Sequence, residues 1–318
     1  MNLDITILDA TTLGGDISFS MFERFGTLTV YDKTSPCEVA SRITETDVII
    51  VNKIRLGKEN LRDAKRLKLI CVTATGYDNI DIDYCKEHGI AVCNVRGYSS
   101  DSVAQVTASM ALSLVNNLKF FNGYVSDGSY TESGTQNKVT PVFHEMNKLT
   151  WGIVGMGAIG KRTAEIAKVL GCRVISFKRT PDPDFDCVSL DDVCRESDII
   201  SIHLPLTDET KQIIDSEKIA LMKETAIVIN VARGAVVDEL ALTDAIINKK
   251  IGGLGVDVYS KEPMAEDNPY QKIKDYPNVI LTPHMAWGAY EARVRCMEEI
   301  AENIQAFCEG KTRNRVDK

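Results

Sequence analysis

The sequence predicts an α/β protein of two domains, each a parallel sheet covered by helices. Three observations carry this. The chain has 318 residues, two successive series of short apolar runs alternate with helix-like segments, and a glycine-rich turn opens the second series. A chain this long exceeds the size that one hydrophobic core usually serves. Strands that alternate with helices imply parallel pairing, because a parallel neighbour is reached only through a crossover.

The first series is Ile5–Leu8, Leu28–Tyr31, Val48–Val51, Leu69–Val72 and Ile90–Val92, all short and apolar or β-branched. Ser102–Leu118 then reads as a long helix of good helix formers and apolar residues. Asn122–Lys148 is polar, glycine-bearing and irregular, so a domain boundary belongs near it. The second series starts at Leu149 and continues through Arg173–Phe177, Ile199–His203, Ala226–Asn230, Gly253–Val258 and Val279–Leu281. That supplies six strands for a doubly wound sheet. Ala289–Glu309 reads as a last helix that returns to the first domain, with nothing strand-like after it.

Composition excludes several classes. Hydrophobic residues at 44% and charged residues at 26% suit a globular chain and argue against disorder. A formal charge of -8 disfavours general nucleic-acid binding, which needs a basic surface. No apolar run reaches membrane-spanning length, and Met1–Asp4 leads into a strand-like segment without a basic or apolar leader pattern. A cytoplasmic protein is expected. The nine cysteines are odd in number and form no CxxC pair; several lie inside apolar runs, as small core hydrophobes do. No metal site is expected.

The most informative stretch is Leu149–Gly160, where an apolar run stops at Gly155-Met156-Gly157-Ala158-Ile159-Gly160 and a helical segment follows. It reads as a Rossmann-like dinucleotide cradle. Gly155 permits a tight turn, Gly157 lets backbone N–H groups approach a pyrophosphate, and Gly160 lets the helix lie close to the strand. The helix N-terminus turns its unpaired N–H groups and partial positive charge toward the phosphates.

Three further segments follow strands of the second series, where open α/β sheets hold their ligands. They are Asn230–Gly234, Asp257–Pro263 and Thr282–Trp287. Arg233, Glu262 and His284 thus stand at neighbouring strand ends. Each alone has a bland reading, as an exposed loop cation, a solvated carboxylate and a capping imidazole. Together, beside a cofactor cradle, they read as a catalytic set.

These motifs resemble the D-isomer-specific 2-hydroxyacid dehydrogenase family. The resemblance rests on GMGAIG at 155–160, HLPLT at 203–207, NVARG at 230–234, GVDVYSKEP at 255–263 and TPHMAW at 282–287, in that order, and covers nearly the whole chain. It implies two Rossmann-like domains with parallel sheets. A split, flavodoxin-like substrate domain would comprise 1–100 and 285–318, with an inserted dinucleotide-binding domain at 101–284 and the active site in the cleft. It also implies a homodimer, with the long helix after Ser102 and the irregular segment as contact elements.

Reduction of a 2-oxo acid assigns the roles. Arg233 holds the substrate carboxylate with its planar donor fork. His284 gives a proton to the carbonyl oxygen as hydride arrives from the nicotinamide. Glu262, bonded to the other ring nitrogen, orients the imidazole and favours its charged form. The resemblance adds His203, Pro205, Val231 and Ala232 to the cofactor-binding residues. Asp257 lies near the nicotinamide carboxamide or caps the next loop. Thr75 and Gly76, in a small-residue loop after a strand, bind the substrate carboxylate or form a plain turn. Trp287 walls the pocket or packs a hinge.

NAD-specific members carry an acidic residue at the end of the second strand, to receive the ribose hydroxyls. Here the run is Lys178-Arg179-Thr180, two cations and a hydroxyl suited to a 2′-phosphate. The expectation leans to NADP over NAD; a solvated surface pair is the alternative. Asn52-Lys53, Val72–Gly76, Cys93–Ser99 and Ala286-Trp287 resemble the glycerate dehydrogenase or hydroxypyruvate reductase branch, which favours hydroxypyruvate or glyoxylate as the small-molecule substrate. Two rival readings are a short phosphoglycerate dehydrogenase and a dinucleotide-sensing corepressor or binding protein on the same scaffold.

Overall fold

The computed structural model describes residues 2–180 and 184–318; Met1 and residues 181–183, which the domain ranges above include, lie outside it. The chain divides into two compact units, Met1–Ser99 with Gly288–Lys318, and Ser100–Trp287. The boundaries expected at 100/101 and 284/285 shift, the second because Met285–Trp287 are bound into the second unit. The Met285 and Ala286 N–H groups donate to the Asp257 carboxylate, and the Ser102 hydroxyl donates to the Ala286 carbonyl at 2.6 Å.

Among the described residues the first unit carries a five-stranded parallel sheet. Its strands are β1 (Leu3–Ile7), β2 (Gly26–Val30), β3 (Val48–Val51), β4 (Leu69–Val72) and β5 (Ala91–Cys93), in the order β2-β1-β3-β4-β5. This is the flavodoxin-like order. β3 and β4 are unbroken apolar runs because both faces are buried. Helices α1 (Val39–Arg42), α2 (Lys58–Leu61), α3 (Ile82–Glu87) and the C-terminal helix Tyr290–Cys308 accompany the sheet. Ile49, Val51, Ile70, Val72 and Val92 form its core with Val39, Leu61 and Cys85 from the helices.

The sequence predicts nothing strand-like beyond the last helix, and here the structure differs. Cys93 bridges Arg315 in antiparallel fashion, the Val316 N–H donates to the Val92 carbonyl at 2.9 Å, and the Val92 N–H donates to the Asp317 carboxylate at 2.9 Å. The tail covers the open edge of β5, which would otherwise present unpaired backbone groups.

Among the described residues the second unit carries a six-stranded parallel sheet: β6 (Thr150–Val154), β7 (Arg173–Phe177), β8 (Ile199–Ile202), β9 (Ile227–Asn230), β10 (Gly253–Val256) and β11 (Val279–Leu281). The order is β11-β10-β9-β8-β6-β7. A single strand, β7, lies beyond β6, so the order reverses between β6 and β8. That is the switch point at whose carboxyl edge ligands bind.

Helices α4 (Ser100–Val115), α5 (Leu118–Ser126), α6 (Ser129–Ser133), α7 (Ala158–Val169), α8 (Leu190–Glu196), α9 (Ser216–Ala220) and α10 (Glu239–Ile247) complete this unit. The apolar stripe of α4, with Val103, Ala108, Met110, Ala111 and Leu114, packs with Ala164 and Ala167 of α7. The long helix expected to Leu118 stops early, since Asn117 takes a left-handed φ of 49°, which asparagine tolerates. The segment read as irregular from Asn122 instead begins inside α5 and includes α6. Ser189, Asp215 and Asp238 cap α8, α9 and α10 by accepting backbone N–H bonds.

Candidate active site

The glycine turn follows β6. Gly155 has φ of 104°, donates its N–H to the Phe177 carbonyl at 2.9 Å, and lies so near β8 that a Cβ would sit 2.9 Å from the His203 backbone. A Cβ on Gly160 would run into the Gly155 carbonyl oxygen, so the start of α7 rests directly on the turn. Gly157 differs: it is exposed, and a Cβ there would meet no atom within 4 Å. No side chain caps α7, and the first backbone bond back to the turn is from Lys161 N–H to the Gly157 carbonyl. The turn therefore presents free space and helix N–H groups together, which fits a pyrophosphate. Met156 is buried in the core, Ala158 is exposed and Ile159 is half-buried.

β7 ends beside this turn, with Phe177 paired to Val154. Lys178 is half-buried, while Arg179 and Thr180 are exposed. Arg179 forms an ion pair with Glu209 at 2.9 Å. His203 follows β8 and donates its N–H to the Val154 carbonyl at 2.8 Å. Its Nε2 lies 3.0 Å from the Ser201 hydroxyl, which also accepts the Trp151 indole N–H. Burial lowers the His203 pKa to about 3, so the ring is neutral. Pro205 is exposed and Val231 is buried.

β9, β10 and β11 are neighbours whose ends align, Val256 pairing with Asn230 and with Leu281. Arg233, Glu262 and His284 leave these three ends in turn. Asn230 shapes the first loop: its amide donates to the Arg233 carbonyl at 2.9 Å and its oxygen accepts the Ala232 N–H at 3.1 Å. A Cβ on Gly234 would collide with the backbone of Tyr259 and Ser260, so the Arg233 turn lies flush against the turn after β10. That second turn carries Glu262, whose Oε1 accepts the Tyr259 N–H at 3.1 Å. Glu262 Oε2 lies 2.6 Å from His284 Nδ1. With Nδ1–H donating to the carboxylate, Nε2 is left as the ring's second proton-bearing position.

Asp257 is 1% exposed and organises the His284 loop. Its Oδ1 accepts the Thr282 hydroxyl at 2.6 Å and the Met285 N–H at 2.8 Å, and its Oδ2 accepts the Ala286 N–H at 2.9 Å. These bonds make it a cap of the loop that follows β11. The Tyr259 hydroxyl donates to the Thr282 carbonyl at 3.0 Å; burial, together with Asp257, Glu262 and Glu239, pushes its pKa up to about 12 and keeps it a neutral donor. Trp287 is half-buried and packs on the cluster that contains Val103, Met156, Val231 and Ala286.

Asn230, Glu239, Tyr259 and Thr282 were not singled out in the sequence. For Asn230, Tyr259 and Thr282 the one local signal is proximity to the strand ends, and Glu239, at the start of α10, has none; the bonds of Glu239 and of the Tyr259 hydroxyl join residues from separate loops.

In the first unit, Thr75 is exposed and Gly76 half-buried, three and four residues after β4 ends at Val72. The Thr75 hydroxyl donates to the Val95 carbonyl at 2.9 Å, and the Asn94 amide donates to the Thr75 carbonyl at 2.7 Å. Six thiols are buried, those of Cys71, Cys85, Cys93, Cys172, Cys194 and Cys296. Desolvation raises Cys85 to about 12 and Cys93, Cys172 and Cys194 to about 11, so these four are inert core groups. Among the described residues no group of three or more His, Cys, Asp or Glu side chains is placed to hold a metal ion, and no helix is long and apolar enough to cross a membrane.

Residues 108–286 match the family model described as the D-isomer specific 2-hydroxyacid dehydrogenase, NAD binding domain. A hydroxypyruvate reductase of Blautia hydrogenotrophica is 34% identical, over 99% of this chain and 100% of that protein. A D-lactate dehydrogenase from Aquifex aeolicus, complexed with NAD and lactic acid, superposes with a TM-score of 0.85 at 32% identity, covering 99% of both chains. An acyclic imino acid reductase in complex with NADPH and D-Arg gives a TM-score of 0.86 at 28% identity, covering 99% of this chain and 100% of that one.

Proposed function

Because this chain belongs to the D-isomer-specific 2-hydroxyacid dehydrogenase family and is an oxidoreductase of small 2-oxo and 2-hydroxy acids, we propose that it reduces hydroxypyruvate or glyoxylate to the D-2-hydroxy acid with NADPH. The observation that supports this most directly is the 2.6 Å pairing of Glu262 with His284, at the ends of β10 and β11, with Arg233 at the end of β9 on the other side of β10. A reduced nicotinamide, when bound, supplies the hydride. The turn shaped by Gly155, Gly157 and Gly160 would hold the pyrophosphate, with His203, Pro205, Val231 and Ala232 along the same strand ends.

Arg233 binds the substrate carboxylate and draws electron density from the adjacent carbonyl. His284 delivers the proton from Nε2 to the carbonyl oxygen, so that hydride at carbon and proton at oxygen together give the hydroxyl. Glu262 keeps Nδ1–H engaged and balances the charge on the ring. Thr75 and Gly76 are proposed to bind substrate and Trp287 to contribute to the pocket.

NADPH is favoured over NADH because the residue after β7 is Lys178 and no carboxylate stands at 178–180. A second copy of this chain is the proposed partner. α5 has no buried residue, and Phe120, Phe121, Tyr124 and Phe143 make ring contacts over an outer surface where Val125, Val139 and Val142 are exposed. We place the protein in the cytoplasm, whose reducing conditions suit its six buried thiols.

The test is a panel of 2-oxo acids, including hydroxypyruvate, glyoxylate and pyruvate, assayed with both reduced cofactors by loss of absorbance. Turnover fastest with hydroxypyruvate or glyoxylate and NADPH is expected. Binding of NADPH without turnover of any acid would favour the sensor reading instead. His284→Ala should lower kcat by about a hundredfold or more with NADPH affinity little changed; near-normal turnover would remove its proton role.

A further inference from the structure

Glu239 stands in the first turn of α10, 8% exposed, and carries a carboxylate that no cation neutralises among its observed hydrogen bonds. It is not needed as the helix cap, because Asp238 already accepts the Ala241 N–H at 3.0 Å. Its own oxygens turn to the loop after β10. Oε1 accepts the Ser260 N–H at 2.7 Å, and Oε2 accepts the Ser260 hydroxyl at 2.7 Å and the Asn268 amide at 2.8 Å. A buried carboxylate persists where several donors converge on it, and the N-terminus of α10 adds favourable partial charge.

Ser260 is consequently held on two sides. Glu239 grips its N–H and hydroxyl, and the bare Cα of Gly234 fits against its backbone. Two residues later, Glu262 reaches His284 Nδ1 at 2.6 Å while accepting the Tyr259 N–H from the same turn. We propose that Glu239 is a positioning residue: by clamping Ser260 it fixes the turn that presents Glu262 to His284. The proposal rests on the reading of His284 as proton donor, and it concerns a side chain whose bonds go to Ser260 and Asn268.

Glu239→Gln tests it at constant size. The glutamine oxygen still accepts the Ser260 N–H, but its amide meets the Asn268 amide donor to donor. Asn268 cannot turn over without losing the bond its oxygen accepts from the Tyr270 N–H. The readouts are the His284 imidazole resonance in the free protein, kcat with hydroxypyruvate, and NADPH affinity. In Glu239→Gln the resonance should move toward its position in Glu262→Gln, with kcat down about tenfold and NADPH affinity within about twofold of wild type. Ser260→Ala, which removes one of the three bonds, should move the resonance the same way by less, and it carries the test if Glu239→Gln does not fold.

A wild-type His284 resonance in a folded variant would overturn the proposal, because a purely structural role leaves that signal in place. A moved resonance supports it even if Glu262→Gln retains full turnover. That latter outcome would instead discard the catalytic role of the Glu262–His284 couple.

Discussion

Asp257 holds His284 in a backbone conformation that the histidine would not choose. His284 has φ of 52°, and its N–H donates to the Asp257 carbonyl at 2.8 Å while the Asp257 carboxylate secures Thr282, Met285 and Ala286 around it. A left-handed residue with a side chain costs about 1–2 kcal/mol, and it persists where the surroundings over-determine it. The loop aims the imidazole because a buried carboxylate fixes the residues on either side.

Asp257→Ala should therefore destabilise the protein and disable it together. The substitution leaves one hydroxyl and two backbone N–H groups without their acceptor, and each such loss costs about 1–3 kcal/mol when buried. A net loss of about 2–4 kcal/mol in chemical denaturation is expected, with kcat falling more than stability alone explains at low temperature. Wild-type stability would show that the carboxylate is not the organiser of this loop.

Two glycines of the cradle should separate folding from binding. Gly160→Ala drives a methyl into the Gly155 carbonyl and should lower the thermal midpoint. Gly157→Ala meets no atom within 4 Å and should leave the midpoint close to wild type while weakening NADPH binding. Calorimetry and fluorescence titration of both variants check the contrast; equal NADPH affinity in Gly157→Ala and wild type would contradict the pyrophosphate site.

Cofactor preference should depend on Lys178 more than on Arg179. A charge-assisted bond to phosphate contributes about 1.5–3 kcal/mol, so Lys178→Asp should lower the NADPH over NADH ratio of kcat/KM by about tenfold to a hundredfold. Arg179→Ala should change it less, because that guanidinium is exposed to solvent whereas Lys178 is half-buried at the end of β7. An unchanged ratio in Lys178→Asp would reject the phosphate role.

His203 makes stability depend on pH on the acid side. Its pKa is lowered from 6.5 to about 3 by burial, so between these values the unfolded chain binds more protons than the folded one. Stability is then fully present above about 6.5 and is lost as pH falls toward 3, by up to about 1.4 kcal/mol per pH unit from this group. Urea midpoints measured from pH 7 to pH 4 should fall less steeply in His203→Gln than in wild type. Parallel slopes would mean that the ring is not held neutral.

The elements of both sheets were legible because a strand buried on both faces is a continuous apolar run, as in Val48–Val51 or Ile199–Ile202, and turns and helices separate such runs locally. The glycine turn was legible because its spacing reflects backbone geometry. Arg233, Glu262 and His284 stood out because their residue types are unusual at successive strand ends. The stop at Asn117 escaped, since a single residue taking φ of 49° leaves the helix-forming composition around it unchanged.

By itself the sequence determined most strand segments of both sheets, the place of the glycine turn after β6, and the Arg, Glu and His that stand at successive strand ends, all properties of neighbouring residues. The tertiary structure alone decided the reversal of strand order between β6 and β8, the seating of the tail on β5, the use of Asp257 to hold the His284 loop, and the grip of Glu239 on Ser260. These depend on hydrogen bonds and contacts between residues tens to hundreds of positions apart. Such partners become defined only when packing brings buried donors and acceptors together with no water to satisfy them.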